Sequence, residues 1–155
     1  MRVLGDIKVE MEHTADENND KPESTVKKDV TVDPFVVYIS GSDTRSKKLN
    51  KSRSDVNILA IVNPKTKQVL LLNTPRDYYV QNTAGGGARD KLTHCGIYGT
   101  SCSMKALEGL YDINIQYYAQ INFTGFETLV DAVGGVTVVA DHGFSAGTFR
   151  FEKGE

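Results

Sequence analysis

The segment 56–72, "VNILAIVNPKTKQVLLL", restricts the fold more than any other part of the chain. Its first run, 56–62, is nearly continuous in apolar character and suits an interior strand covered on both faces. Asn63-Pro64-Lys65-Thr66-Lys67-Gln68 is a turn signal, and 69–72 is a second apolar run, so the pair reads as an antiparallel hairpin. Register then matters, because a slip of one residue would turn every side chain to the other face. If Val62 faces Val69, Asp55 lies opposite Arg76, to within about two residues, and Arg53 is beside it. Charged side chains therefore gather where one strand enters the sheet and its neighbour leaves it.

The rest of the chain supplies strands and helices in alternation. "FVVYIS" follows Asp33-Pro34 and ends at Gly41, as a first strand. The run 83–91, "TAGGGARDK", reads as a flexible loop. Over 103–111, Met104, Leu107, Leu110 and Tyr111 share one helical face. Tyr117 to Ile121 reads as a strand. Thr124 to Glu127 has capping-box spacing, and Phe123, Phe126, Leu129, Val130 and Val133 follow a helical period that Gly134-Gly135 stops. "VTVVA" (136–140) reads as another strand. The expected class is α/β, a layered α-β-α domain with a mixed, partly antiparallel central sheet.

With 155 residues the chain suits one domain, which can bury about two-thirds of the surface its unfolded form exposes. Residues 1–33 hold nine acids against five bases and, over 10–33, almost no large apolar side chains. They read as a polar linker or the remnant of an upstream region, with "MRVLGDIKVE" a stray strand. The domain is expected at 34–155. No apolar run approaches the roughly 20 residues that cross a bilayer, so the chain as given reads as a soluble one without an anchor.

Net charge is −2 overall, but 43–91 holds ten bases against four acids. That local excess points to an anionic ligand, while the overall balance argues against general binding of nucleic acid. The constellation that concentrates it is Asp43, Arg53, Asp55 and Arg76. Antiparallel first and second strands would bring both carboxylates to one edge. Two carboxylates suit Mg²⁺, which fills its octahedron with water and phosphate oxygens, and guanidinium forks suit the phosphates. The same residues equally suit a surface ion-pair cluster, worth at most about 1 kcal/mol per pair. Arg89, Asp90 and Lys91 follow the glycine run, whose amides are candidates to cradle phosphate, although a solvated loop is the plainer reading. His94 and Cys95 are neighbours that point apart, which speaks against a Cys/His nucleophile. Cys95 and Cys102 read first as buried free thiols, then as a local disulfide, then as metal ligands. A continuous helix would hold them about 10 Å apart, unless Gly96 and Gly99 break it.

The segments "SGSDTR", "SRSDVNILAIVNPKTKQVLLLNTPRD", "DKLTHC..YG" and "YYAQINFTGFETLVDAVGGVTV" occur in the order seen in the LytR-CpsA-Psr family of Gram-positive bacteria, and from about Asp33 to Asp141 the chain resembles that family, above all its CpsA-like capsule-associated members. The resemblance implies an extracytoplasmic, membrane-anchored phosphotransferase that moves a capsular or teichoic-acid-like glycopolymer from undecaprenyl diphosphate to peptidoglycan. It implies Mg²⁺ held by Asp43 and Asp55, and diphosphate held by Arg53, Arg76 and Lys91. Catalysis would fall to Asp55, Arg53 and Arg76, and the apolar helix at 123–133 would line or support a prenyl pocket. Family members continue past "GGVTV" into further arginines and a glutamine, so the resemblance also implies a C-terminally truncated domain with an incomplete clamp. A weakly active domain that binds polyprenyl-diphosphate-linked polymer is the second reading. A transcriptional regulator is a third, disfavoured because no helix-turn-helix pattern is present.

Overall fold

The computed structural model describes residues 7–10, 29–44 and 51–154, the first four by backbone alone. In chain order the elements are β1 (Ile7–Glu10), β2 (Phe35–Ser42), β3 (Val56–Asn63), β4 (Gln68–Asn73), β5 (Tyr79–Gln81), β6 (Arg89–Lys91), α1 (Leu92–Cys95), a 3-10 turn (Gly96–Tyr98), α2 (Thr100–Tyr111), β7 (Tyr117–Asn122), α3 (Phe123–Ala132), β8 (Phe144–Ala146) and β9 (Phe149–Phe151). The linker reading of 11–28 lies outside the described residues.

A five-stranded mixed sheet in the order β1-β7-β2-β3-β4 forms the frame, as expected for the class. The β2–β7 pair is parallel and the other three are antiparallel. The β3–β4 hairpin adopts the expected register, Val62 opposite Val69 and Ile58 opposite Asn73. Lys67, at φ 55°, closes its turn, and Asn63 Oδ1 accepts the N–H groups of Lys65 and Thr66. Ile7–Glu10 lies beyond the expected domain boundary in sequence, yet β1 pairs with β7 and so belongs to this sheet.

One face of the sheet carries the core. Tyr38, Leu59 and Tyr118 are neighbours across paired strands, and α1 and α2 cover them with Leu92, Met104, Ala106 and Leu107. Helix α2 has the predicted face: Met104 and Leu107 are buried, while Leu110 and Tyr111 pack at its margin. Asp112, in the left-handed conformation, ends it, and the Glu108 carboxylate accepts the Ile115 N–H at 2.8 Å, steering the chain into β7. In β3, Leu59 and Ala60 are buried on opposite faces, but Ile61 and Val62 are only half-buried. The expected coverage on both faces is therefore limited to the middle of the strand.

Three local expectations change. "VTVVA" (136–140) is not a strand. Strand propensity measures fit to a pleated, half-buried surface, and these valines meet no ladder partner among the described residues; Val138 is 76% exposed. The cap of α3 is Asn122, whose Oδ1 accepts the Gly125 N–H at 2.7 Å. Thr124 instead offers its carbonyl to Thr128, because the helix starts directly at the end of β7 and moves the capping position two residues back. Finally, the run 83–91 is not wholly loop: Arg89–Lys91 returns as β6 against β5, with Tyr79 opposite Lys91.

Candidate functional site

The site grows from the end of the β2–β3 pair. Gly41 faces Val56, and a side chain there would place its Cβ 2.8 Å from Val56 Cβ, so only glycine lets the strands close at this point. The Asp55 N–H donates to the Gly41 carbonyl at 2.8 Å. Asp43 follows β2 and Asp55 precedes β3, so the antiparallel pairing puts both carboxylates at one edge. Arg76 extends beyond β4 at the same edge, and its Nη1 donates to Asp55 Oδ1 at 2.7 Å. The register argument thus delivers its pair. That hydrogen bond, followed by the charges of Asp55 and Asp77, raises the Arg76 guanidinium above its already high pKa, so it is a permanent cation.

Arg53 owes its place to a rigid backbone. Ser42 Oγ donates to Ser52 Oγ at 2.7 Å on one side of it. On the other, Asn57 Nδ2 donates to the Ser54 carbonyl at 3.2 Å, and Asn57 Oδ1 accepts the buried Tyr38 hydroxyl at 2.7 Å. Buried polar groups are costly unless satisfied, so this relay favours a single backbone path. Gly96 presses on the same segment: a Cβ there would sit 2.5 Å from the Ser52 carbonyl oxygen and 2.9 Å from Ser54 N.

Thr93 joins the two arginine-bearing segments. Its carbonyl accepts the Ser54 N–H at 3.4 Å, and its own N–H donates to the Arg76 carbonyl at 2.9 Å. Lys91 arrives by the same docking, since β6 leads into α1 and the Leu92 N–H donates to the Tyr78 carbonyl. Lys91 Nζ donates to Asp77 Oδ1 at 2.6 Å, and Asp77 Oδ2 lies 3.7 Å from Arg76 Nε. The Lys91 ammonium depresses the Asp77 pKa. Nearby, His94 Nδ1 donates to Asp90 Oδ2 at 2.9 Å and depresses the Asp90 pKa.

The structure therefore brings Arg76, Asp55 and Lys91 into one chain of charges with Asp77, and sets Asp43 and Arg53 on the adjoining loops. Asp77, Thr93 and Gly96 escaped sequence reasoning. Asp77 had a usable signal, since it directly follows Arg76. The backbone roles of Thr93 and Gly96 depend on docking between segments some forty residues apart and had none. In the glycine run the Gly85 N–H donates to Asn82 Oδ1 and the Gly87 N–H to the Asn82 carbonyl, so these two amides are turned to the loop itself.

Among the described residues no three of His, Cys, Asp and Glu gather as a metal site. A protein-only cage is thus absent there, but two carboxylates fit Mg²⁺, which takes few protein ligands when phosphate oxygens supply the others.

Known proteins share this arrangement of chain. Polyisoprenyl-teichoic acid–peptidoglycan teichoic acid transferase TagU of Halalkalibacterium halodurans is 37% identical over 142 residues, 88% of this chain and 46% of that protein. The Bacillus subtilis protein of the same name is 36% identical over 137 residues, 88% of this chain and 42% of that one. This chain thus spans less than half the length of these relatives, whose names carry teichoic acid rather than capsule. The solved structure of the LytR-CPS2A-psr family protein YwtF (TagT) with bound octaprenyl pyrophosphate lipid superposes with a TM-score of 0.67 at 29% identity, covering 92% of this chain and 60% of that one. TagT bound to LI-WTA gives 0.69 at 30% identity, with 92% and 57% covered. The model of the LytR_cpsA_psr family matches residues 3–155, a span that takes in β1, and the chain belongs to that family.

Proposed function

We propose that this chain carries the diphosphate-handling part of a phosphotransferase that moves a glycopolymer, of capsular or teichoic-acid type, from a polyprenyl diphosphate to peptidoglycan at the extracytoplasmic face of a Gram-positive membrane. The observation that carries the reading is the Asp55–Arg76 contact at 2.7 Å, with Lys91 joined to Arg76 through Asp77. The names of TagU and of the lipid-bound TagT structure support it. No helix among the described residues is long and apolar enough to cross a membrane.

In this reading Arg53 and Arg76 grip the diphosphate oxygens through paired N–H donors, and Lys91 adds a point charge. Asp43 and Asp55 would hold Mg²⁺, which when bound neutralises the diphosphate and polarises the phosphorus under attack. Asp55 would also accept the proton of the attacking sugar hydroxyl. On ligand entry Arg76 exchanges Asp55 for phosphate, and Lys91 exchanges Asp77. The exposed apolar side of α3, with Phe123, Phe126 and Leu129, offers a surface for the prenyl chain.

Calorimetry with geranyl diphosphate tests this. Binding is expected to require Mg²⁺ and to weaken at least tenfold, about the value of one charge-assisted hydrogen bond, in Asp55→Ala and Arg76→Ala. Absence of binding by the unaltered chain, or equal binding by the variants, overturns it. Binding without turnover is the second reading. Release of prenyl phosphate in a single-turnover assay with a lipid-linked glycan separates the two.

A further inference from the structure

His94 and Asp90 lie beside the charged edge and have no part in the grip on diphosphate described above. Helix α1 is docked by buried Leu92, Thr93 and Cys95, the last a free thiol. Backbone bonds from Leu92 to Tyr78 and from Thr93 to Arg76 and Ser54 hold it further. His94 is the one residue of this turn that reaches the surface, with 33% of its side chain exposed. Its ring is nevertheless fixed. Asp90 Oδ1 accepts the Lys91 N–H at 2.7 Å, which holds the carboxylate independently of the ring, and Asp90 Oδ2 meets His94 Nδ1 at 2.9 Å. An ionised carboxylate only accepts, so Nδ1 carries a hydrogen and the neutral ring keeps its lone pair on Nε2. Nε2 has no hydrogen-bond partner among the described residues. A surface pair of this kind adds at most about 1 kcal/mol to stability, and α1 is already anchored without it. A carboxylate that orients an imidazole through Nδ1 also presents Nε2 to a ligand.

The charged groups about the ring set what it can bind. They are Asp90 on β6, Lys91 beside it, and Arg76 and Asp77 in the turn after β4, where Asp77 lies 2.6 Å from Lys91 Nζ and 3.7 Å from Arg76 Nε. Two carboxylates there balance two cations, and nothing calls for a third positive charge. A diphosphate brings only negative charge, which favours the protonated imidazole. We propose that His94 is a further phosphate-binding residue of this edge: its Nε2 takes a proton from solvent as diphosphate arrives and donates a hydrogen bond to a phosphate oxygen. Nδ1–H stays on Asp90 throughout. The inference rests on the proposed diphosphate site and adds to it a group whose charge follows the ligand, whereas a guanidinium or ammonium is charged beforehand.

The full chain with Mg²⁺ is titrated with geranyl diphosphate by calorimetry near neutral pH, in two buffers of different ionisation heat, which together give the protons taken up per ligand. Uptake of a fraction of a proton is expected. His94→Gln, checked for folding by circular dichroism, should bind several-fold more weakly and lose that uptake. In nitrogen-15 spectra of the unaltered chain, which has three histidines, one imidazole should gain its second hydrogen as ligand is added. His13→Gln and His142→Gln should leave that change in place. Equal affinity or equal uptake in His94→Gln, no imidazole change, or a change lost with His13 or His142 would each overturn the inference, while binding that still needs Mg²⁺ and Arg76 would leave the diphosphate reading standing. No binding by the unaltered chain would overturn both.

Discussion

Helices α2 and α3 carry similar patterns and meet different fates. Both space apolar side chains at a helical period. Yet Leu107 of α2 is wholly buried, whereas Phe126 of α3 is 57% exposed and Val133 beyond it 67%. Helix α2 lies on the sheet face formed by Tyr38, Leu59 and Tyr118. Helix α3 is anchored by its Asn122 cap and by buried Gly125, and its apolar side meets little of the described chain. A hydrophobic period therefore predicts which side of a helix prefers to leave water, not whether a surface is there to receive it. Strand β4 repeats the lesson: paired on one edge only, it leaves Leu71 65% exposed.

The largest test of this contrast is a pair of truncations. Leu107→Ala should cost about 2–5 kcal/mol, the transfer and cavity terms of a core site. Phe126→Ala should stay within roughly 0.5 kcal/mol, as at a surface position. Urea denaturation with unchanged m-values checks both, and comparable losses would mean that α3 is packed after all. Gly96→Ala comes next. Its new methyl group meets backbone rather than a yielding side chain, so the overpacking cost is about 1–3 kcal/mol. The same variant should weaken geranyl diphosphate binding, because Ser52 and Ser54 flank Arg53. A stability loss with unchanged affinity would detach the core from the site.

Lys91→Ala should reduce affinity for geranyl diphosphate by several-fold, less than loss of Arg76, since an ammonium supplies a point charge where a guanidinium supplies a fork. The smallest effect concerns pH. Asp77 and Asp90 have depressed pKa values, owed first to Lys91 and to His94. Their stabilisation is therefore full above the ordinary aspartate value of about 3.9 and is lost as pH falls through their lower folded values. Thermal midpoints should decline in that acid range, and Asp77→Asn should flatten part of the decline by slightly lowering the midpoint at neutral pH, where the parent's contribution is full. A variant as acid-sensitive as the parent would remove Asp77 from the account.

Much of the site was readable because strand pairing is a counting problem. Once the turn at 63–68 was recognised, Asp55 and Arg76 had to approach each other, and the antiparallel first pair of strands carried Asp43 to the same edge. Lys91 was named from a weaker signal, the glycine run, and reaches the site by another cause, the β5–β6 hairpin and the docking of α1. "VTVVA" misled because its composition records a preference that only a neighbouring ladder can satisfy.

By itself, the sequence determined the α/β class, the hairpin register, the apolar side of each helix and membership of the family, all properties of local pattern or of residues whose order alone is informative. Only the tertiary structure decided that Thr93 would join Ser54 to Arg76, that Gly96 would buttress the Arg53 loop and that Asp77 would bridge two cations. These are contacts across long chain separations. They follow from where α1 docks against the sheet, and no periodicity in the chain encodes that position.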